Sequence, residues 1–169
     1  MDKNIALIGF MGSGKTTVAC ALAKKLQRKL VSTDEIIVKA EQCSIADIFA
    51  LKGEAYFRGL ERKVVAQLAQ EINLVIDCGG GIVLQEENMV HLKKQGIIVY
   101  LKASIDVLHE RTKKETHRPL LNVSDPQAKI KELLLKREPF YANADYTIDT
   151  SEKSVSEVVD AITQLVKNG

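Results

Sequence analysis

Residues 4–26 read NIALIGFMGSGKTTVACALAKKL, and this stretch decides the fold of the chain. A short apolar run at residues 5–8 predicts a buried strand. Residues 9–16 then match G-x-x-x-x-G-K-[ST] in full, and Lys15–Leu26 continues as a helix with apolar residues at four-residue spacing. A glycine-rich loop between a strand and a helix points backbone N–H groups at phosphate oxygens. The stretch therefore predicts a nucleoside triphosphate site.

Within this loop each residue type has a predicted role. The Lys15 ammonium can neutralise the β- and γ-phosphates, and the Thr16 hydroxyl can ligate Mg²⁺. The alternative is a glycine-rich turn that binds nothing, and four filled motif positions in a strand–helix frame argue against it. The predicted nucleotide-binding residues of the loop are Gly12, Ser13, Gly14, Lys15, Thr16 and Thr17.

Beyond the loop, short apolar runs alternate with segments of helical period. This alternation predicts a five-stranded parallel sheet with helices on both faces, a three-layer, doubly wound α/β fold. Ser44-x-x-Asp47 and Ser154-x-x-Glu157 predict helix starts with capping boxes. The predicted strands are 4–8, 29–32, 74–78, 97–101 and 146–149.

Bulk composition limits the function classes. The 169 residues suit one domain, and a net charge of +2 does not favour nucleic acid or a membrane surface as a partner. No run of about 18 apolar residues predicts a membrane span. The three cysteines form no C-x-x-C pair, so neither a zinc site nor a disulfide framework is indicated, and all three are expected to be small core residues. A cytoplasmic monomer is expected.

Five short motifs follow the phosphate loop, at positions where a parallel α/β fold collects ligands. In order and spacing they resemble the shikimate kinase family across nearly the whole chain. The motifs are STD at 32–34, GEAYFRGLE at 53–61, CGGG at 78–81, RPLL at 118–121 and REPFY at 137–141.

This resemblance implies a single kinase domain over residues 1–169, with the P-loop nucleoside monophosphate kinase-like fold. It implies transfer of the γ-phosphoryl group of ATP, with Mg²⁺, to the 3-hydroxyl of shikimate. An acceptor-binding helical region is expected at about residues 34–61, and a mobile lid at about 112–126. By resemblance Arg118 reaches the transferring phosphoryl group and acts in catalysis with Lys15 and Asp34, while Arg111 covers the adenine.

The same resemblance assigns Asp34, Arg58, Arg137 and the Gly80 amide to the acceptor. The residues alone leave alternatives open. Asp34 can accept a hydroxyl proton or cap a helix beginning near Glu35, and both roles can hold at once; the resemblance favours the first. Arg58 has Glu54 and Glu61 at helical spacing, which by itself predicts a solvated ion pair.

Arg137 is more informative, because it continues the apolar face of its helix. It lies seven, four and three residues after Ile130, Leu133 and Leu134, so its guanidinium should point inward and require an anion. The alternative is an arginine that complements the carboxyl end of a helix stopped by Pro139.

One position departs from the family pattern. The family commonly has Asp-Thr-Asp where this chain has Ser32-Thr33-Asp34, and the first aspartate usually helps to hold the metal. Asp77, at the end of an apolar run, resembles a Walker B aspartate and is the obvious substitute. The sequence leaves open whether Asp77 or Ser32 takes part.

Two rival functions remain at this stage. A related kinase could act on gluconate or a nucleoside monophosphate, although two arginines beside a glycine-rich strand end suit a carboxylate acceptor better. A non-catalytic nucleotide-binding relic is encouraged only by Ser32. ADP release measured with the three kinds of acceptor separates these functions.

Overall fold

A computed structural model describes residues 3–113, 121 and 123–168 of the chain. The five predicted strands form one sheet in which every neighbouring pair is parallel, in the order β2-β3-β1-β4-β5. Their bounds agree with the prediction to within one residue at each end. The strands are β1 Asn4–Ile8, β2 Lys29–Ser32, β3 Leu74–Asp77, β4 Gly96–Lys102 and β5 Tyr146–Asp149.

Helices fill the connections between the strands. Both predicted capping boxes are present: Ser44 and Asp47 exchange side-chain and backbone hydrogen bonds, and Ser154 and Glu157 do the same. The helices are α1 Lys15–Leu26, α2 Thr33–Glu41, α3 Ile45–Leu68, α4 Glu86–Gln95, α5 Ile105–Thr112, α6 Pro126–Tyr141 and α7 Val155–Asn168. Gly53, with φ 80°, interrupts the helical geometry inside α3.

Helices pack on both faces of the sheet, which confirms the three-layer prediction. Ala6 and Ile8 of β1 pack into a cluster with residues of α2, α3 and α4. Ile5 and Leu7 point to the opposite face and pack against α1 and α7. Because side chains alternate along a strand, a strand covered on both faces needs apolar residues at every position. This requirement explains the uninterrupted apolar run of β1.

Two local predictions are wrong. Helix α6 does not stop before Pro139 but continues through it to Tyr141. The proline cannot donate a hydrogen bond to the carbonyl of Leu135, and both residues lie on the exposed face of the helix. The cysteines look alike in sequence as small core residues, yet Cys20 is exposed and Cys43 only partly buried.

The lid expected at about residues 112–126 falls largely on residues 114–120 and 122. These residues, with Arg118 among them, lie outside the described part of the chain. Helix α5 ends before this segment at Thr112, and α6 begins after it at Pro126, capped by the Asp125 side chain. Among the described residues, no helix has the length and apolar character that crossing a bilayer requires.

Candidate active site

The phosphate loop connects β1 to α1 in the predicted geometry. Gly14 has φ 91° and precedes the first residue of α1, a backbone conformation that favours glycine. Gly12 has φ 79°, and a Cβ there would lie 2.7 Å from the Thr112 side chain. Lys15 Nζ donates hydrogen bonds to the carbonyl oxygens of Gly9 and Phe10, at 3.0 and 3.1 Å. The ammonium group therefore lies over the loop, where phosphates would bind.

The first turn of α1 also contacts β3. The Thr16 hydroxyl donates a hydrogen bond to Asp77 Oδ2 over 2.6 Å. Asp77 is 8% exposed and is paired in register with Leu7 of β1 on one side and Ser32 of β2 on the other. The carboxylate thus lies at the carboxyl end of β3, between β2 and β1 and beside the phosphate loop.

A cleft of about 590 Å³ opens at the carboxyl ends of the strands. Every site residue predicted from the sequence lines this cleft, except Arg118, which lies outside the described residues. The structure therefore brings the nucleotide loop and the acceptor residues into one cavity. The predicted residues that line it are Gly12, Ser13, Gly14, Lys15, Thr16, Thr17, Asp34, Arg58, Gly80, Arg111 and Arg137.

The glycine triplet at residues 79–81 follows β3 and forms the floor on the acceptor side. A Cβ on Gly79 would collide with Asp34 Oδ1 and would lie 3.2 Å from Glu61 Oε1. A Cβ on Gly81 would collide with the Arg58 guanidinium. A Cβ on Gly80 would lie 3.8 Å from Arg137 Nη1. Glycine is favoured at residues 79 and 81, where a Cβ would meet a charged side chain, whereas a Cβ on Gly80 would make only an ordinary contact.

Asp34 lies in the first turn of α2 and does not cap the helix. Ser32 is the N-cap, and its hydroxyl accepts a hydrogen bond from the Glu35 backbone N–H at 3.3 Å. The capping alternative for Asp34 is therefore wrong, because the helix begins earlier than expected. Its carboxylate is left to line the cleft next to Gly79.

Arg58 is not the solvated surface residue that helical spacing alone suggests. Its side chain is 14% exposed, and Nη1 donates to Glu61 Oε2 at 2.6 Å while Nη2 donates to Glu54 at 3.0 Å. The pKa of Arg58 is raised, because these two carboxylates outweigh desolvation of the guanidinium. Nη1 and Nη2 each carry a second N–H, so the group can also donate to an incoming anion.

Arg137 is buried, as the spacing along α6 predicts, and is 7% exposed. Its Nη1 donates to the Gly80 carbonyl at 3.2 Å, and the guanidinium stacks over the Phe10 ring at 5.5 Å. Within the described ranges it forms no ion pair with a carboxylate. A buried guanidinium without an acidic partner is costly, and an anionic ligand would remove that cost.

Glu61 is the site residue that sequence reasoning missed. Helical spacing predicts for it only a surface ion pair with Arg58, yet its side chain is 1% exposed and lines the cleft. Burial raises the pKa of the Glu61 carboxyl, and the Arg58 guanidinium offsets part of that rise. The signal was available in the spacing, because residue 61 lies four after Phe57 and seven before Leu68 on the buried face of α3.

Arg111 extends from α5 across the nucleotide end of the cleft. Its Nη2 donates to the Thr150 carbonyl at 3.1 Å, and Nη1 donates to the Gly12 carbonyl at 3.4 Å. Cys78 borders the acceptor side but is buried, and burial raises the pKa of its thiol far above the usual range. A thiol that does not ionise is a poor nucleophile, so the cleft gives Cys78 no chemical role.

Thr16 and Asp77 suit a magnesium ion that is bound mainly through a nucleotide. Over the described residues there is no group of three or more His, Cys, Asp or Glu side chains placed to hold a metal. Mg²⁺ commonly keeps several waters and uses one or two protein oxygens together with substrate phosphates. A hydroxyl hydrogen-bonded to a carboxylate beside the phosphate loop meets that requirement.

Comparisons with known proteins agree with this geometry. The family model described as shikimate kinase matches residues 11–167. The shikimate kinase of Caldanaerobacter subterraneus subsp. tengcongensis is 47% identical over 160 residues, 95% of this chain and 94% of the relative. That of Thermodesulfovibrio yellowstonii is 48% identical, over 95% of this chain and 92% of the relative.

Solved structures give the same result. The shikimate kinase of Acinetobacter baumannii, in complex with shikimate, has a TM-score of 0.93 at 37% identity and covers 99% of this chain and 94% of that one. The shikimate kinase of Aquifex aeolicus has a TM-score of 0.82 at 38% identity, covering 98% and 96%. Matches that span nearly the whole length of the chain show that it belongs to the shikimate kinase family.

Proposed function

We propose that this protein transfers the γ-phosphoryl group of ATP to the 3-hydroxyl of shikimate, giving shikimate 3-phosphate and ADP. The observation that carries the proposal is the single cleft with two unlike ends. One end has the phosphate loop and Lys15, and the other has Asp34, Arg58 and Arg137. The relative from A. baumannii was solved with shikimate bound, which supports the same acceptor here.

The acceptor end is suited to a small hydroxylated carboxylate. Arg58 and Arg137 would bind its carboxylate, because guanidinium groups donate two parallel hydrogen bonds to such a group. The Gly80 backbone would approach the ring closely, since no side chain stands in the way. Asp34 would accept a hydrogen bond from the attacking hydroxyl and orient it toward the phosphate loop.

The nucleotide end would stabilise the phosphoryl group as its charge spreads. Lys15 would leave the carbonyls of Gly9 and Phe10 and pair with phosphate oxygens, which bind an ammonium more strongly than neutral carbonyls do. Residues 12–17 would cradle the phosphates, and Arg111 would cover the adenine. Arg118, which lies outside the described residues, keeps its predicted role at the transferring group. Catalysis would consist of positioning and charge neutralisation, with no covalent intermediate.

Magnesium is part of the same proposal. The Thr16 hydroxyl would hold the ion, which neutralises charge on the β- and γ-phosphates when bound. A cytoplasmic monomer, without nucleic-acid or membrane partners, also remains a prediction. Free thiols at all three cysteines are compatible with a reducing compartment. Size-exclusion chromatography with light scattering would measure the oligomeric state.

A coupled assay of ADP release tests the function directly. Shikimate, gluconate and nucleoside monophosphates are supplied in parallel at equal concentrations with ATP and Mg²⁺. We expect shikimate alone to raise ADP release well above the rate without an acceptor. A higher rate with another acceptor would reject shikimate, and tight ATP binding without any stimulated release would indicate a nucleotide-binding protein that is not a kinase.

A further inference from the structure

The contact between Thr16 and Asp77 fixes the direction of a hydroxyl. A threonine hydroxyl has one hydrogen and two lone pairs. The Thr16 hydroxyl donates that hydrogen in a hydrogen bond to Asp77 Oδ2, with 2.6 Å between the two oxygens. The Thr16 oxygen can therefore act only as an acceptor toward the cleft. An oxygen held in this state suits a cation and cannot donate to a phosphate. The carboxylate thereby prepares Thr16 as a metal ligand before any ligand binds.

Ser32, the neighbouring residue on β2, has a different role from Asp77. Ser32 is the register partner of Asp77, so the two side chains begin at adjacent points of the sheet. The Ser32 hydroxyl instead caps α2 through the Glu35 backbone N–H. Asp34 and Glu61, the other carboxylates that line the described cleft, lie against Gly79 on the acceptor side.

We propose that Asp77 supplies the negative charge by which the protein supports the magnesium ion of the magnesium–nucleotide complex. The carboxylate acts through the Thr16 hydroxyl and through water on the ion. Ser32 then contributes no charge to the metal. This inference rests on the nucleotide half of the proposed function and is independent of the acceptor. In the same position the Asp77 carboxylate repels a metal-free polyphosphate, because the two negative charges lie on the same side of the cleft.

Calorimetric titration with ADP, in excess Mg²⁺ and in EDTA, tests the proposal without any acceptor. For the wild-type protein, the dissociation constant in EDTA divided by that in Mg²⁺ measures how much magnesium strengthens ADP binding. In Asp77→Asn we expect that ratio to fall by about 10- to 100-fold, the usual effect of losing a group that supports a metal ligand. ADP binding in EDTA should stay equal or become tighter. If Asp77 had a merely structural role, its loss would weaken ADP binding in both conditions.

Matched variants separate the explanations. Asp160→Asn removes an aspartate charge from the exposed face of α7 and should leave the ratio unchanged. Ser32→Asp combined with Asp77→Asn returns a carboxylate to the adjacent strand, and recovery of the ratio would support a role for charge at this point. Aspartate also caps helices well, so α2 should persist in that variant.

The metal can also be followed directly. Titration of the protein–ADP complex with Mn²⁺, monitored by electron paramagnetic resonance, should show weaker binding of the ion in Asp77→Asn. If that variant does not fold, as judged by circular dichroism, Asp77→Ser removes the same charge with a smaller side chain. An unchanged ratio and unchanged Mn²⁺ affinity in a folded variant would overturn the proposal. Failure of shikimate as a substrate would not affect this result, so the two proposals fail separately.

Discussion

The guanidinium of Arg58 occupies the space where a side chain of residue 81 would begin. A Cβ built on Gly81 would lie 2.6 Å from both Cζ and Nη2 of Arg58. Gly81 itself has φ −101°, a backbone angle that any residue adopts. Glycine at this position therefore leaves room for the Arg58 guanidinium and is not demanded by its own backbone conformation. The glycine triplet acts as a surface against which the acceptor-binding side chains pack.

Gly81→Ala should consequently affect binding far more than folding. The added methyl meets the flexible end of Arg58, which can move aside at small cost in stability. We expect the KM for shikimate to rise about tenfold or more, since a hydrogen bond to a charged group is worth about 1.5–3 kcal/mol. The KM for ATP should be unchanged. Steady-state kinetics with each substrate varied in turn measures both effects.

Gly59→Ala is the matched control, because a Cβ there meets nothing within 4 Å. It should leave both KM values unchanged and stabilise α3 by up to about 1 kcal/mol through helix propensity. If Gly81→Ala gives kinetics like those of Gly59→Ala, the contact with the Gly81 backbone does not position the Arg58 guanidinium for shikimate binding.

The two arginines should have opposite effects on stability when each is replaced by methionine. Removing Arg58 leaves the buried carboxylate of Glu61 without its partner, so the free energy of unfolding should fall by about 3–5 kcal/mol. Removing Arg137 deletes a buried charge that has no acidic partner in the described chain, so stability should be kept or increased. Urea denaturation measures both variants, and a large loss of stability for Arg137→Met would contradict this reading of its environment.

Lys15→Met and Asp34→Asn should give folded proteins with little turnover. Loss of the ammonium removes charge stabilisation of the phosphoryl group, and we expect kcat to fall by roughly 10²- to 10³-fold. Loss of the carboxylate removes the group that orients the attacking hydroxyl, with an expected fall of roughly 10²- to 10⁴-fold. Circular dichroism confirms folding, and near-normal turnover in either variant would reject the proposed mechanism.

Glu61 gives a prediction for pH. Because burial raises the pKa of Glu61, the folded chain binds this proton more tightly than the unfolded chain does. Its contribution to stability is then greatest below the unfolded pKa of about 4.3 and declines as pH rises through the folded value. The free energy of unfolding of the wild type minus that of Glu61→Gln should therefore decrease as pH rises above about 4.3. Denaturation of both proteins at a series of pH values tests this, and a growing difference would mean that the ion pair with Arg58 dominates.

Local interactions made much of the fold predictable. The inner strands β1 and β3 are predictable because every residue in them is buried, so that each contains an uninterrupted apolar run. The edge strands β2 and β5 are partly exposed and follow from the alternation of short strand segments with helical ones. The capping boxes at Ser44 and Ser154 were found because the partners lie three residues apart. Pro139 is the counter-example: its local preference is to end a helix, yet α6 continues through it on an exposed face.

The sequence by itself therefore determined the phosphate loop, the parallel α/β class and the inward direction of Arg137, since each follows from spacing along one element. Only the tertiary structure decided that Asp34, Arg58 and Arg137 converge on three consecutive glycines, because the order of strands in the sheet brings distant segments together. It also decided that Glu61 is buried and that Asp77 meets Thr16. Burial of a charged group depends on partners from other elements, and no local pattern specifies those partners.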